Sequence, residues 1–319
     1  FDQGYEYVSG ARIKSWKKGG HGLQTFREVL QNSSNPGFVE IGRRLGKKRI
    51  YNYVKNFGLT QKTGVDLPGE SCGIMFDYKN FHELEQATVA FGQGISVTPL
   101  QLVTAISACV NGGYLLQPHI LKEVRNNNNE IIYQAKRKVK RQVIKEETSK
   151  KVRDALESVV TDGGGRNAYI DGYRIGGKTG TAQKAVNGSY VGGGYILSFV
   201  GIAPIDDPQI VLYIAMDNPK NCIQYGGTTV APIARKMFLD ILPALNVKKV
   251  KSQRQKTFSV MDKKTIKVEN YIGKQRKEVQ NISLRFQFEG KGSIVIDQLP
   301  RKGEYVEEGD TIVIMLGEK

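Results

Sequence analysis

Two short polar motifs, far apart in the chain, carry side chains that could act on one substrate. The first is Lys178-Thr179-Gly180, which is followed by Thr181. A lysine ammonium and a threonine hydroxyl can both donate to a substrate carboxylate, and a glycine lets a strand and a ligand approach closely. The second motif places Ser33 two positions before Asn35. A serine hydroxyl can relay a proton, and an asparagine amide can both donate to and accept from a substrate amide.

The residues around each motif predict the elements that position them. A short β-like run precedes Lys178, and a Gly-rich turn and a strand-like run over 195–201 follow it. This context predicts an edge strand whose free backbone can pair with a peptide. Ser33 and Asn35 follow a helix-like run that ends near residue 30. Taken alone, they would also suit a turn or the N-cap of a helix that starts near residue 37.

Apolar spacing along the first 245 residues predicts helices packed on an antiparallel sheet, an α+β fold. The hairpin prediction rests on four consecutive asparagines, 126–129, between two β-like runs. The predicted helices cover 23–31, 37–45, 48–57, 98–111, 146–160 and 232–242, and the predicted strands cover 120–125, 131–134, the two runs around Lys178, and 210–216.

Five stretches in a fixed order carry a resemblance to a known family. Residues 1 to about 245 resemble the transpeptidase domain of class B penicillin-binding proteins, and this implies the penicillin-binding transpeptidase fold, which is serine β-lactamase-like. The stretches are His21-Gly22, 63–70 (Thr-Gly-Val-Asp-Leu-Pro-Gly-Glu), 91–101 (Phe-Gly-Gln-Gly-Ile-Ser-Val-Thr-Pro-Leu-Gln), the Lys178 motif, and Ala203-Pro204 with Asp206-Asp207-Pro208.

The resemblance implies a peptidoglycan D,D-transpeptidase that needs no metal or cofactor. In this family a serine attacks the carbonyl between the two terminal D-alanines of a stem peptide, and an amine from a neighbouring stem resolves the acyl-enzyme. β-Lactams acylate the same serine. Ser33 would relay a proton and Asn35 would orient the substrate. Lys178 and Thr179 would bind the terminal carboxylate, Gly180 would let the strand and the ligand approach closely, and the backbone N–H of Thr181 would supply one oxyanion donor.

The family's nucleophile is the serine of a Ser-x-x-Lys motif at the start of a buried helix. The one literal match in this chain is Ser15-Trp16-Lys17-Lys18, and Gly19-Gly20-His21-Gly22 follows it. Such a glycine-rich segment cannot continue a buried helix, so we expect Ser15 to lie in a strand and turn. We therefore expect no nucleophile in this chain, which would start just after its own catalytic serine.

A second Lys-Thr-Gly triplet occurs at Lys62-Thr63-Gly64. It lies in a polar segment with no β-like run on either side. It is also too close to Asn35 to leave room for the helical segments between the family's motifs. We expect a loop there rather than a catalytic strand.

The chain has 319 residues, a formal net charge of +16 and three cysteines without a Cys-x-x-Cys pair. The basic residues cluster, as over 136–141, but no nucleic-acid-binding motif accompanies them. We therefore expect no nucleic acid partner, and a basic face near an anionic membrane surface or wall polymer.

No run reaches the roughly 20 apolar residues of a membrane span. The resemblance implies an extracytoplasmic protein with a glycosyltransferase partner, anchored to the membrane by an N-terminal segment absent from this chain.

The character of the sequence changes after residue 246. A basic linker over 247–256 precedes a module over 257–319 that resembles a PASTA domain, a small β-α-β unit. Gly303, Gly309 and Gln298-Leu299-Pro300 match its pattern, and a helix-like stretch is predicted to extend to Phe286. Such modules bind wall fragments or act as spacers, and both roles stay open. Within the class, this tail favours a sporulation transpeptidase.

Two alternatives remain at this point. The motifs do not distinguish an amine from water as the acyl acceptor, so a D,D-carboxypeptidase or β-lactamase-type hydrolase is possible. A non-catalytic wall-binding fragment would also suit a chain without a nucleophile.

Overall fold

The computed structural model describes residues 1–184, 194–250, 265–303, 305–307 and 311–318. The helices are α1 (Phe26–Asn32), α2 (Asn35–Leu45), α3 (Lys47–Asn56), α4 (Glu83–Ala90), α5 (Pro99–Val110), α6 (Glu146–Asp162), α7 (Gly226–Thr229) and α8 (Ala231–Ala244). The strands are β1 (Tyr5–Val8), β2 (Ala11–Lys14), β3 (Tyr114–Leu116), β4 (Glu123–Arg125), β5 (Ile131–Gln134), β6 (Val139–Gln142), β7 (Gly176–Gln183), β8 (Tyr195–Ala203), β9 (Ile210–Asp217), β10 (Thr265–Lys267), β11 (Arg285–Gly290), β12 (Ile294–Leu299), β13 (Tyr305–Glu307) and β14 (Thr311–Gly317).

A three-stranded antiparallel sheet carries the Lys178 motif. Its order is β7–β8–β9, and Lys178 on β7 lies opposite Val200 on β8. Within the described residues, β7 is an edge strand of this sheet, as the sequence predicted. Lys178 lies inside the strand itself, and most of the predicted Gly-rich turn after it falls in 185–193, outside the described residues.

The core of the first unit lies between this sheet and its helices. Leu197, Phe199 and Ile202 on β8 are fully buried, as is Phe238 on α8. Close contact between sheet and helix requires a glycine at Gly201, because a Cβ there would come within 2.6 Å of the Phe238 ring. The helices and the antiparallel sheet together make the predicted α+β fold.

The β1–β2 hairpin and helix α4 form a smaller cluster with α2. Val8, Ile13, Val39 and Ala87 are its buried members. The sequence analysis did not predict α4. The reason is that Ala87 is its only buried residue, so its sequence has almost no apolar periodicity.

The chain divides into two compact units, with the division near residue 252. In the second unit β14 pairs parallel with β11 and antiparallel with β12, and β10 pairs antiparallel with β13. Its buried core consists of Val268, Tyr271, Val279, Leu284, Val295, Val306, Ile312, Ile314 and Leu316.

The helix predicted in the second unit, extending to Phe286, is wrong. The described residues hold only a 3₁₀ turn at Arg276–Glu278, and strand β11 follows from Arg285. Phe286 and Phe288 pack against the core two positions apart, the spacing of a strand, whereas Ile282 is fully exposed. The PASTA assignment and the domain boundaries stay predictions, and residues 251–256 of the predicted linker lie outside the described residues.

In the described part of the chain, none of the helices has the length and the apolar character needed to cross a membrane.

Neighbouring residues on β8 provide a test of this packing. Leu197 is fully buried and Ile196 is 36% exposed. We expect Leu197→Ala to lower the free energy of unfolding by about 2–5 kcal/mol, since it leaves a cavity, and Ile196→Ala to cost less than half as much. Urea unfolding followed by the fluorescence of Trp16, the only tryptophan, measures the first unit. Equal losses at both positions would contradict this account of the core.

Candidate active site

The turn between α1 and α2 presents the hydroxyl of Ser33. Ser33 ends α1 in the left-handed region, with φ 53° and ψ 44°. Ser34 then caps α2, because its Oγ accepts from the Gly37 N–H at 3.2 Å. Two consecutive serines thus end one helix and begin the next, and the side chain of the first is left to face β7.

Lys178 reaches this turn from β7. Its Nζ donates to Ser33 Oγ at 2.8 Å and to the Thr179 carbonyl at 3.0 Å. Burial lowers the pKa of Lys178 from its ordinary value of 10.5 to about 8. An ammonium has three protons, and the described residues engage two of them, which leaves the third for an anionic ligand.

Asn35 is placed differently from the other two predicted catalytic residues. Its Nδ2 donates to the carbonyl of Lys14, the last residue of β2, at 2.8 Å. The described contacts therefore join Ser33 to Lys178, whereas the amide of Asn35 is engaged with β2. That amide keeps a second Nδ2 proton and an acceptor oxygen.

The remaining residues of the motif are held tightly by the segment after β9. Thr179 is 8% exposed and its hydroxyl is hydrogen-bonded to that of Tyr225. Thr181 Oγ1 accepts from the Gly226 N–H at 3.1 Å. A Cβ on Gly226 would come within 2.4 Å of the Gly180 carbonyl, so the chain passes directly over β7. The Thr179 hydroxyl, predicted to bind a carboxylate, is thus already paired.

An aromatic pair that the sequence analysis missed links the two halves of the site. Trp16 Nε1 donates to the Asn32 carbonyl at 2.7 Å, and the Trp16 ring lies 5.7 Å from that of Tyr225. Tyr225 in turn binds Thr179. In the sequence, Trp16 is the single tryptophan and Tyr225 precedes two glycines. Neither feature indicates a functional site by itself.

Ser15, the literal Ser-x-x-Lys match, is not on a helix. It follows β2, which ends at Lys14, and its Oγ donates to Asp2 Oδ2 at 3.0 Å. This placement is the predicted strand and turn.

The second Lys-Thr-Gly triplet forms the predicted loop, and its donors bind a carboxylate of the same chain. The Thr63 N–H, the Thr63 hydroxyl and the Gly64 N–H all donate to Glu70. Burial raises the pKa of Glu70, but these bonds outweigh it and hold the pKa below its ordinary value. At this position the triplet therefore binds the Glu70 carboxylate of the same chain instead of a ligand.

The edge strand, the Ser33 turn and the helices around them define a penicillin-binding transpeptidase domain. Residues 1–239 match the family model described as the penicillin binding protein transpeptidase domain. The chain belongs to this family.

Comparison with individual proteins narrows the assignment. The chain is 50% identical over 322 aligned residues to stage V sporulation protein D of Bacillus subtilis (strain 168). The alignment covers all of this chain and 50% of that protein. The chain is 32% identical over 226 residues to the probable peptidoglycan D,D-transpeptidase PenA of Neisseria meningitidis serogroup A, covering 70% of this chain and 37% of that protein. The chain thus spans half or less of the length of these relatives, and its predicted likeness to a sporulation transpeptidase is confirmed.

Solved structures share the fold. Penicillin binding protein 3 of Mycobacterium tuberculosis, complexed with aztreonam, aligns with a TM-score of 0.72 at 31% identity, over 78% of this chain and 58% of that chain. The transpeptidase domain of Burkholderia pseudomallei penicillin-binding protein 3 aligns with a TM-score of 0.69 at 34% identity, over 78% of this chain and 72% of that chain.

The depressed pKa of Lys178 can be measured directly in this chain. With lysines labelled at Cε, we expect one NMR signal, absent in Lys178→Arg, to titrate near pH 8. Because the folded pKa lies below the unfolded one, this group also adds stability as pH rises from about 8 to about 10.5. A Lys178 signal that titrates only above pH 10 would contradict the burial of its ammonium.

Proposed function

We propose that this chain is the donor-binding part of a serine D,D-transpeptidase that cross-links peptidoglycan. The observation that carries the proposal is the 2.8 Å contact between Lys178 Nζ and Ser33 Oγ at an edge strand. A cation, a hydroxyl and a strand that is at the edge of its sheet within the described residues lie together, and these are the groups needed to bind the carboxyl end of a peptide and to move a proton there.

The geometry supports a division of roles. The third proton of Lys178 would bind the terminal carboxylate of a stem peptide or the equivalent carboxylate of a β-lactam. The edge of β7 from Lys178 to Thr181 would pair with the substrate backbone, and the Thr181 N–H would donate to the oxyanion. Since Ser33 Oγ accepts from Lys178, its own proton can pass to the leaving amine while Ser33 takes up the proton released by the nucleophilic serine, so that Ser33 acts as a relay and is not left charged.

Asn35 and the nucleophile complete the proposed machinery. The acceptor oxygen and the second Nδ2 proton of Asn35 would orient a substrate amide. The nucleophilic serine and its lysine would come from a Ser-x-x-Lys segment outside these 319 residues, because Ser15 is bound to Asp2 in a turn.

The wider setting is also proposed. The second unit would be a PASTA-type module that spaces the enzyme from the wall or binds it. The protein would act outside the cytoplasm, anchored by a segment not in this chain, with a glycosyltransferase partner. Its basic faces would lie near anionic lipid or wall polymer.

The two Lys-Thr-Gly triplets give a matched test of the site. In a longer protein that includes the upstream Ser-x-x-Lys, Lys178→Ala should slow acylation by fluorescent penicillin by roughly one to three orders of magnitude, because it removes a charge-assisted contact. Lys62→Ala, at the equivalent position of the internal loop, should change the rate less than about twofold. Equal losses would overturn the assignment.

The fate of the acyl-enzyme separates the candidate activities. A transpeptidase should transfer the acyl group to an added amine acceptor, whereas a carboxypeptidase or β-lactamase would release it to water. A longer protein that is never acylated would support a non-catalytic wall-binding role.

The pKa of Lys178 predicts a basic limb in the acylation profile. Its ammonium is lost as pH rises through about 8, so the second-order acylation rate should be about tenfold lower at pH 9 than its plateau below pH 7. Lys178→Arg keeps its charge and should be slower overall but flat between pH 7 and 9. A wild-type rate that stays constant up to pH 9.5 would exclude a cationic role for Lys178.

A further inference from the structure

A buried carboxylate lies behind the Ser33 turn. Asp2 is 1% exposed, although aspartate is rarely buried in folded proteins. Its Oδ2 accepts from Ser34 Oγ at 2.7 Å and from Ser15 Oγ at 3.0 Å. Its Oδ1 accepts from the Gly4 N–H at 2.7 Å. Three donors from three separate stretches of chain therefore converge on one side chain.

The backbone of Asp2 is fixed as well. Its N–H and carbonyl form a reciprocal pair of hydrogen bonds with Gly22, at 2.8 and 2.9 Å. Gly20 passes so close that a Cβ there would come within 2.2 Å of the Asp2 carbonyl and 2.5 Å of Oδ1. Asp2 is thus a fixed point to which the neighbouring loops are attached.

The two serines that bind Asp2 lie next to the two residues that shape the site. Ser34 follows Ser33, whose left-handed backbone is unfavourable for a residue with a side chain. Ser15 precedes Trp16, whose indole N–H holds the Asn32 carbonyl. The Asp2 carboxylate therefore helps to hold both ends of the turn that presents Ser33. It binds Ser34 directly, and it reaches Asn32 through Ser15 and the neighbouring Trp16.

We propose that Asp2 is a positioning residue for the reaction, holding Ser34 and Ser15 so that the turn between α1 and α2 keeps Ser33 against Lys178. This inference rests on the proposed function in one respect, that the Ser33 hydroxyl takes part in the reaction.

The charge of Asp2 matters because a carboxylate only accepts hydrogen bonds. It fixes the Ser34 hydroxyl as a donor, which leaves the Ser34 oxygen to accept from Gly37 and cap α2. Asparagine has the same shape but would turn an NH₂ group toward at least one of the three donors. That change leaves a buried donor unpaired, an expensive outcome in a dry site.

The hydrogen-bond donors around Asp2 favour its ionised form. Burial would raise the pKa of Asp2, but the bonds from Ser34, Gly4 and Ser15 outweigh it and keep the pKa below its ordinary value. The titratable group that faces it is His21, and burial lowers the pKa of His21. At neutral pH Asp2 therefore stays an acceptor for all three donors.

Asp66 offers a matched control for the test. Its carboxylate also accepts hydrogen bonds, from the Ile120 and Leu121 N–H groups at 2.7 and 2.9 Å, but it anchors a different loop. Asp66→Asn removes the same charge from the chain as Asp2→Asn. It should leave the Ser33 turn unchanged.

The first experiment uses the 319-residue chain and needs no catalysis. Trp16 is the only tryptophan and its indole N–H binds the Asn32 carbonyl, so its emission reports the turn. We expect Asp2→Asn to shift the emission and to move the Cε signal and titration midpoint of Lys178. Asp66→Asn should change none of these.

The second experiment measures acylation in the longer protein. We expect Asp2→Asn and Ser34→Ala each to slow penicillin acylation about ten- to a hundredfold, and to move the basic limb to lower pH as Lys178 loses its Ser33 acceptor. The losses of the two variants should combine to much less than their product, because both variants break the bond between Ser34 and Asp2. Ser15→Ala, which breaks only the longer bond, should cost about threefold.

Several outcomes would overturn the proposal. It is wrong if Asp2→Asn lowers the melting temperature while the Trp16 and Lys178 signals stay as in the wild type. It is also wrong if the losses from Asp2→Asn and Ser34→Ala multiply. Should Asp2→Asn fail to fold, Ser34→Ala decides through the same signals. If the wild-type longer protein is not acylated, the proposed function fails, but the first experiment still decides whether Asp2 positions Ser33.

Discussion

The hydrogen bond between Lys178 and Ser33 joins residues 145 positions apart, and the arrangement of the first unit serves to make it possible. The Lys178 ammonium on β7 and the Ser33 hydroxyl on the turn between α1 and α2 must come within 2.8 Å of each other. No contact between residues close in sequence brings these two elements together. The bond also requires an ammonium to lie where burial lowers its pKa to about 8. Such a group holds its charge near neutral pH but is close to losing it, so a carboxylate ligand would stabilise it strongly.

Rigid surroundings keep these two groups in place. On one side, Gly226 packs against the Gly180 carbonyl with no space for a Cβ, and Tyr225 binds Thr179. On the other side, Ser34 is tied to the buried carboxylate of Asp2. The proposed acyl transfer would depend on distances set to fractions of an ångström, so these supports would matter as much as the reacting groups.

The two Lys-Thr-Gly triplets show how context decides the use of one chemistry. Both consist of the same three residues with the same donors. At Lys62 the donors of the following residues are taken by Glu70 within a loop, whereas at Lys178 the triplet lies on an edge strand. Among the described residues, the contacts of its ammonium are with the Ser33 hydroxyl and the Thr179 carbonyl, which leaves one of its three protons for a ligand. The sequence predicted a loop at Lys62 and a strand at Lys178, and the structure confirms both, because only the triplet at Lys178 has β-like runs around it.

The sequence by itself determined the α+β class, six helices of the first unit to within a few residues but not α4, the edge strand, and the pairing of the Ser33 and Lys178 motifs. These features depend on local periodicity and on motifs that a short stretch of chain carries. Tertiary structure alone decided that Asn35 binds the Lys14 carbonyl, that Tyr225 and Trp16 connect the two motifs, and that Asp2 lies buried behind the turn. It also replaced a predicted helix of the second unit with a 3₁₀ turn and a strand. Those outcomes come from contacts between distant parts of the chain, and no local pattern records which buried donor an acceptor will meet.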